Sequence, residues 1–391
     1  MITLETADSA LKTVYLGVIG NQLNIGANPL LSKIKHTTNN VYGNEIRKAT
    51  SFGLSGGVSA GTESGALPTS KAQRREHFEL TLKNLFGTIE ISDKAIRCSQ
   101  NSAGAFVNLL NDEMESLIKS STFNLGRMLY GDGSGILATI TETTSLDQEY
   151  FKVDKVRNLI ENLMCRFVNT NGKTYASDNE IAIMHVDKAN STFSWSGVAD
   201  KDYKNYKIAT VNGLKNEITG LGAIFNTESE KLYGLDRMSS PFLTPYVKND
   251  VGELSEVAIQ TAIDEIEENS GSEVDFIACS AKVRRAYQEA MSTYRRNLDV
   301  MNLQGGFKAI SYNGIPVVTD RFVDDDTMYI LSTKEFEMCQ LCDWQWLEGN
   351  DGKIIKQKEG YPVYTATLVK YAELLCNRPN AQAKLSGIVG A

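Results

Sequence analysis

The sequence predicts an α+β protein whose elements are long and project, and three observations predict it. A single helical stripe runs without interruption from Ala103 to Tyr130. Strand-like alternation follows a glycine- and serine-rich stretch, so that β structure sits behind a segment with nothing to bury. After residue 251 the pattern switches to helix, strand, helix, and a run of alternating apolar residues at Val363–Cys376 closes the chain.

Residues 1–50 have weak periodicity and small polar side chains, which predicts an extended arm. Residues 51–67 hold five Gly and four Ser and end at Pro68, a composition too poor in apolar surface to be rigid alone. His77–Lys83 and Gly87–Ser92 then alternate apolar and polar residues, and two strands behind a flexible segment predict a long protruding hairpin over 51–95. In the helix, Phe106, Leu110, Met114, Leu117, Ser121, Leu125 and Met128 recur at spacings of three and four, and Gly131 ends it. A rod of roughly 40 Å needs an elongated neighbour to cover that stripe, so Phe106, Leu110, Met114 and Leu117 are its expected packing residues.

Residues 140–250 read as mostly β, with strands at Glu180–Val186, Gly222–Phe225 and Leu232–Gly234 and a β-rich insertion over 151–215. Ser255 caps a helix over Glu256–Asn269 that Gly271 stops, Val274–Cys279 is a strand, and Ala281–Tyr294 is a second helix with a clean amphipathic face. Further strands are expected at Gly314–Val318, Met328–Leu331 and Phe336–Leu347. The change of pattern marks 251–335 as its own folding unit, with 96–250 before it and 336–391 returning to the earlier body.

Composition narrows the function. The 391 residues carry 40 Lys and Arg against 48 Asp and Glu, net −8, and 21 of the acids lie beyond residue 250 against 14 bases. Such a balance lacks the basic footprint of a dedicated nucleic-acid binder. No apolar run approaches the roughly 18 residues of a membrane span, and the early acids Glu5 and Asp8 do not suit a signal peptide. The six cysteines are too sparse for a disulfide framework and read as reduced thiols.

Catalytic and metal constellations fail one by one. Gly53-Leu54-Ser55-Gly56-Gly57 has the spacing of a hydrolase nucleophile elbow, but a flexible loop follows Ser55 where a helix is required, and only His36, His77 and His185 could act as base. A serine hydrolase using Ser55 with His77 or His185 is the remote alternative. Gly131–Gly135 lacks the Lys-Ser/Thr of a phosphate loop and reads as a turn. Cys339 and Cys342 have no second pair, and on a strand they point to opposite faces. Asp264, Glu265, Glu267, Glu268, Glu273 and Asp275 lack the alternating ligands of a calcium loop and read as a solvated helix face. Asp324–Asp326 reads as a turn, and Trp344 with Trp346 as core. No catalytic residue, metal or cofactor is expected.

An arm, a Gly-rich hairpin, one long helix, a β-rich section, a compact α/β section and a long closing strand resemble, in that order, the major capsid protein of tailed double-stranded DNA bacteriophages, the Hong Kong 97 fold. The resemblance covers residues 40–388. Glu63–Pro68 resembles the extended E-loop, Lys83–Ile96 the strand returning to the spine helix, and Gly131–Ile136 the turn after it. Leu232–Arg237 is similar to the P-domain segment before the A domain. Gly306–Lys308, Asn313–Val318 and Asn377–Ala383 resemble an A-domain strand and the C-terminal strand.

The resemblance implies a non-enzymatic shell subunit that forms hexamers and pentamers of an icosahedral head, assembled in the host cytoplasm. It implies an arm over 1–50, an E-loop over 51–95, a P domain over 96–250, an A domain over 251–335 and a return to the P domain over 336–391. Ser64, Leu67, Lys71, Arg74, Arg75 and Glu76 are the expected E-loop contacts with a neighbour. Only about 50 residues precede the E-loop, so a separate scaffolding protein is expected in place of a fused one. The other expected partners are a portal and packaged DNA held by weak non-specific contact, with no membrane. Lys71 and Lys83 are the lysines that could crosslink. An encapsulin-type nanocompartment shell is the alternative within the same fold.

Overall fold

A computed structural model describes residues 12, 22–23, 28–52, 57–67, 69, 73–94, 103–143, 150–197, 202–294, 300–302 and 308–389, with the backbone alone at 51–52, 103–111, 143, 291–294, 300–302 and 308. Ser55 and Lys71 lie outside the described residues, as do the side chains of Phe106 and Leu110.

Strand Val363–Cys376 is the middle of a five-stranded sheet. Its second half pairs antiparallel with Phe336–Trp346, while residues 363–372 pair on the other edge with Lys83–Ser92. Residues 368–372 are paired on both edges, and the burial of the second half is nearly continuous where the sequence suggested alternation. Strand Lys83–Ser92 alternates cleanly: Leu85, Gly87, Ile89 and Ile91 point inward. The long helix, Ala103–Tyr130, lies over that inner face and places Met114 and Leu117 in the main core.

Farther along the helix, Phe123 meets the ring of Phe322 edge-on at 5.3 Å, and Gly126 lies so close to Phe322 that a Cβ would come within 2.7 Å of it. One helix thus spans from the sheet to the α/β section. No helix among the described residues is long and apolar enough to cross a membrane.

The expected pairing of the two strands after the Gly-rich stretch is corrected. Arg74–Thr81 and Lys83–Ser92 are separated by the buried residue Leu82 alone, and a two-residue loop is the usual minimum for a hairpin. Arg74–Thr81 pairs instead with Glu45–Phe52, a strand inside the stretch expected as arm. Residues 28–37 also lie against the core: Leu30, Leu31 and Ile34 are buried, and Lys35–Thr37 adds a parallel strand beside Phe336–Trp346.

Six strands between Ile136 and Thr210 close into a barrel with its own core. Phe151, Phe167, Phe193 and Tyr203 fill it, Phe167 and Tyr203 approaching to 4.4 Å between ring centroids. Arg157 fastens it to the turn Asp324–Asp326, donating to Asp324 at 2.6 Å and to the Val323 carbonyl at 2.8 Å. Gly222–Phe225 is corrected from strand to a helical turn, Leu221–Ile224. Its glycines allow it to press on the end of the long helix: a Cβ on Gly220 would meet Met128 O at 2.3 Å, and one on Gly222 would meet Gly131 at 2.9 Å.

The α/β section is a seven-stranded sheet carrying helices Glu256–Ser270 and Ala281–Tyr294. Ser255 Oγ accepts the Ala258 N–H at 3.2 Å and Gly271 closes the first helix at φ 68°, as the cap residues predict. Successive residues of its central strands serve different cores. Phe276, Ala278, Tyr329 and Leu331 face the main core, while Ile277, Cys279, Met328 and Ile330 face the two helices. Two strands from elsewhere in the chain complete one side of it: Gln382–Leu385 pairs beside Met328–Leu331, and Tyr246–Lys248 forms the edge.

Candidate assembly surface

The hairpin Glu45–Phe52 with Arg74–Thr81 is rooted by its lower residues. Phe78 is fully buried, with the ring of Tyr233 edge-on at 5.5 Å and that of Phe242 at 6.1 Å. The Glu79 N–H donates to the Tyr233 carbonyl at 3.1 Å, and Lys48 Nζ donates to Glu337 at 2.7 Å.

Beyond the root the character changes. Residues 58–67 are exposed throughout, and Val58 and Leu67 each keep 89% of their surface. Ser64 lies in this stretch. Arg74 and Arg75 are exposed on the hairpin strand, and Arg74 Nε donates to Glu76 at 3.3 Å. Two residues expected to reach a neighbour therefore pair with each other along one strand face, an exposed contact contributing about 0–1 kcal/mol.

The five-stranded sheet presents a second open region. Phe86 on its outer face remains 61% exposed, with its ring 6.5 Å from that of Tyr371. Beside it Trp346, Leu347, Val369 and Tyr371 line a cavity of about 500 Å³, rimmed by Lys12 and Glu348, which form an ion pair at 3.4 Å.

Beneath these surfaces, buried charges bind distant segments together. Arg127 on the long helix donates to both Glu217 oxygens, at 2.6 and 2.7 Å. Glu373 accepts N–H bonds from Thr219 at 2.7 Å and Leu374 at 3.0 Å, and burial pushes its carboxyl up to about 7. Lys370 donates to Asp343 at 3.0 Å, and burial lowers its ammonium. Burial and the nearby Lys370 charge lower His36 to about 4, against the pull of Asp343 and Gln340. Arg237 donates to the carbonyls of Ile224 at 2.9 Å and Ala223 at 3.2 Å, and to that of Leu243.

None of these was singled out by charge pattern, although the signal existed. Lys370 and Glu373 interrupt an otherwise apolar run, and a charge at such a position requires a partner. His185 pairs with Glu161 at 3.1 Å on the barrel exterior, and His77 is exposed on the hairpin. No group of His, Cys, Asp and Glu able to hold a metal occurs among the described residues.

Similar folds place this arrangement. The chain is similar to the capsid asymmetric unit of Cyanophage A-1(L), with 10% identity, 94% of this chain and 92% of that one covered, and a TM-score of 0.53. It is similar to the capsid subunit of an empty GTA particle at 9% identity, over 93% and 90% of the two chains, with a TM-score of 0.50. An encapsulin complex from Synechococcus elongatus aligns at 8% identity over 92% and 86% of the chains, with a TM-score of 0.47. At such identities the likeness is one of fold. No curated protein matches the sequence. The family model described as SU10 major capsid protein matches residues 135–353, from the turn before the barrel to the loop after Phe336–Trp346. That match spans more than half of the sequence, and the chain belongs to the SU10 major capsid protein family, a structural component of the phage virion that associates with itself into shells.

Proposed function

We propose that the chain forms hexamers and pentamers of an icosahedral head enclosing double-stranded DNA, and that the exposed hairpin reaches a neighbouring subunit. The observation that carries this is the exposure of residues 58–67, including Val58 and Leu67. A segment of this length with no core of its own is costly inside a compact domain and useful between domains. Ser64, Leu67, Lys71, Arg74, Arg75 and Glu76 are the proposed contacts. The division into arm, E-loop, P domain and A domain belongs to the same reading. So do a separate scaffolding protein, a portal, weak non-specific contact with the packaged genome and assembly in the host cytoplasm. Net −8 agrees with a lumen that does not hold DNA tightly. Electron microscopy and sedimentation of the purified chain test it. Hollow shells or capsomers are expected, and a discrete monomer at every concentration overturns it.

A further inference from the structure

The two helices of the α/β section carry opposite charge, each at the unfavourable end of its own dipole. Helix Glu256–Ser270 holds five carboxylates and no base. Four of them, Asp264, Glu265, Glu267 and Glu268, crowd its C-terminal half, where the helix end is already negative and like charges three and four residues apart repel. Helix Ala281–Tyr294 does the reverse. Lys282, Arg284 and Arg285 occupy its positive N-terminal end, with no acid in the first turn.

Among the described residues none of these seven side chains forms an ion pair. Arg378, the guanidinium at the acidic end, donates to the Ser270 carbonyl at 3.0 Å and is not bonded to a carboxylate. Glu267, Glu268, Arg284 and Arg285 are exposed. The acidic helix ends where the connection to strand Phe276–Cys279 begins, and the basic helix starts where that strand ends. The two charged ends therefore lie toward opposite ends of that strand, whose four residues span about 13 Å.

Both helices pack on one side of the same sheet and share one core, the acidic one over Tyr246–Lys248 and Gln382–Leu385 and the basic one over Ile315–Thr319 and against Ile388–Val389. The acidic end lies where strand Phe276–Cys279 is entered and the basic end where it is left, so the patches are distinct surfaces of the section. A head-to-tail contact between identical subunits joins two different surfaces of this kind.

We infer that the acidic end of helix Glu256–Ser270 in one subunit docks against the basic end of helix Ala281–Tyr294 in the next copy around a ring. The occupant is a second copy of this chain, because the chain itself supplies both charges. This contact rests on the self-assembly proposed above and names surfaces within it. Each docking event relieves two unfavourable helix ends at once, and its charge complementarity sets the register between copies.

Charge reversal in the full chain tests the pairing. E267K/E268K and R284E/R285E should each raise the concentration for half-assembly on the order of tenfold or more, read by sedimentation velocity at low salt. The thermal midpoint of the isolated E267K/E268K subunit should stay level or rise, since lysines suit that helix end. Combining all four substitutions should restore assembly. Should a reversal fail to fold, E267Q/E268Q and R284Q/R285Q test the same contact through the same loss of assembly. Wild-type assembly by either single set, or four-fold reversal that folds without rescue, overturns the pairing while leaving the shell reading intact. Loss of retained DNA with normal capsomers in R284E/R285E assigns the basic patch to nucleic acid and likewise overturns it. A wild-type chain that never assembles overturns both.

Discussion

Leu117 of the long helix rests directly on Gly87 of the sheet, where an added Cβ would come within 2.7 Å of Leu117 Cδ1. The helix and sheet approach closely at this point because position 87 has no side chain. Every other inward position nearby carries a large one: Leu85, Ile89 and Ile91.

Gly87→Ala should therefore destabilise the subunit by about 1–3 kcal/mol through overpacking. Leu117→Ala should cost about 2–5 kcal/mol through the cavity it leaves. The double substitution should cost less than the sum, because each change accommodates the other. Urea unfolding of the isolated subunit measures all three, and strict additivity would show that the two positions do not touch.

Glu373 gives the fold a pH dependence. Its carboxyl moves from an ordinary 4.5 to about 7 on burial. Between those values the folded chain keeps a proton that the unfolded chain has released, so this contribution is complete at low pH and is lost as pH rises through 7. Glu373→Gln keeps an acceptor for the Thr219 and Leu374 amides. It should remove that slope and gain up to about 3 kcal/mol over the wild type at pH 8. Unfolding at pH 5 and pH 8 checks the sign, and a wild type more stable at pH 8 relative to the variant would contradict it.

The segment 251–335, expected from its pattern to fold alone, should not do so. Excision removes Gln382–Leu385 from beside Met328–Leu331 and takes Ala381, Ala383 and Leu385 out of the helix-side core. It also removes the Gln382 side chain, which accepts the Ser332 N–H at 3.0 Å and donates to the Ser332 carbonyl at 3.3 Å. The isolated segment should lack near-ultraviolet dichroism. Adding residues 244–250 and linking 377–389 should restore a cooperative transition.

The hairpin separates folding from assembly. Phe52 pairs with Arg74, so joining these residues through Asn-Gly in place of 53–73 preserves the register and the buried Phe78. Thermal unfolding of the free subunit should shift by no more than a few degrees, while shells should be lost or distorted under the microscope. A large fall in the midpoint would assign the removed residues to their own subunit's core.

Local pattern was enough to place the long helix at Ala103–Tyr130, the two later helices and the closing strand Val363–Cys376. Their signals are local: apolar spacing, a serine cap, and a glycine free to take positive φ. The exposure of the Gly-rich stretch was legible for the same reason, since a segment without apolar side chains has no core to join. Only the tertiary structure decided which edges meet. Alternation assigns faces to Lys83–Ser92 but leaves its neighbour open, and that neighbour is Val363–Cys376, far away in the chain. The barrel at 136–210, the burial of 28–37 and the helical turn at Leu221–Ile224 depend on such long-range choices. So do the buried charges. Arg127 and Glu373 are tolerable inside the protein only because Glu217 and Thr219 are brought to them across the fold, and no local pattern encodes that meeting.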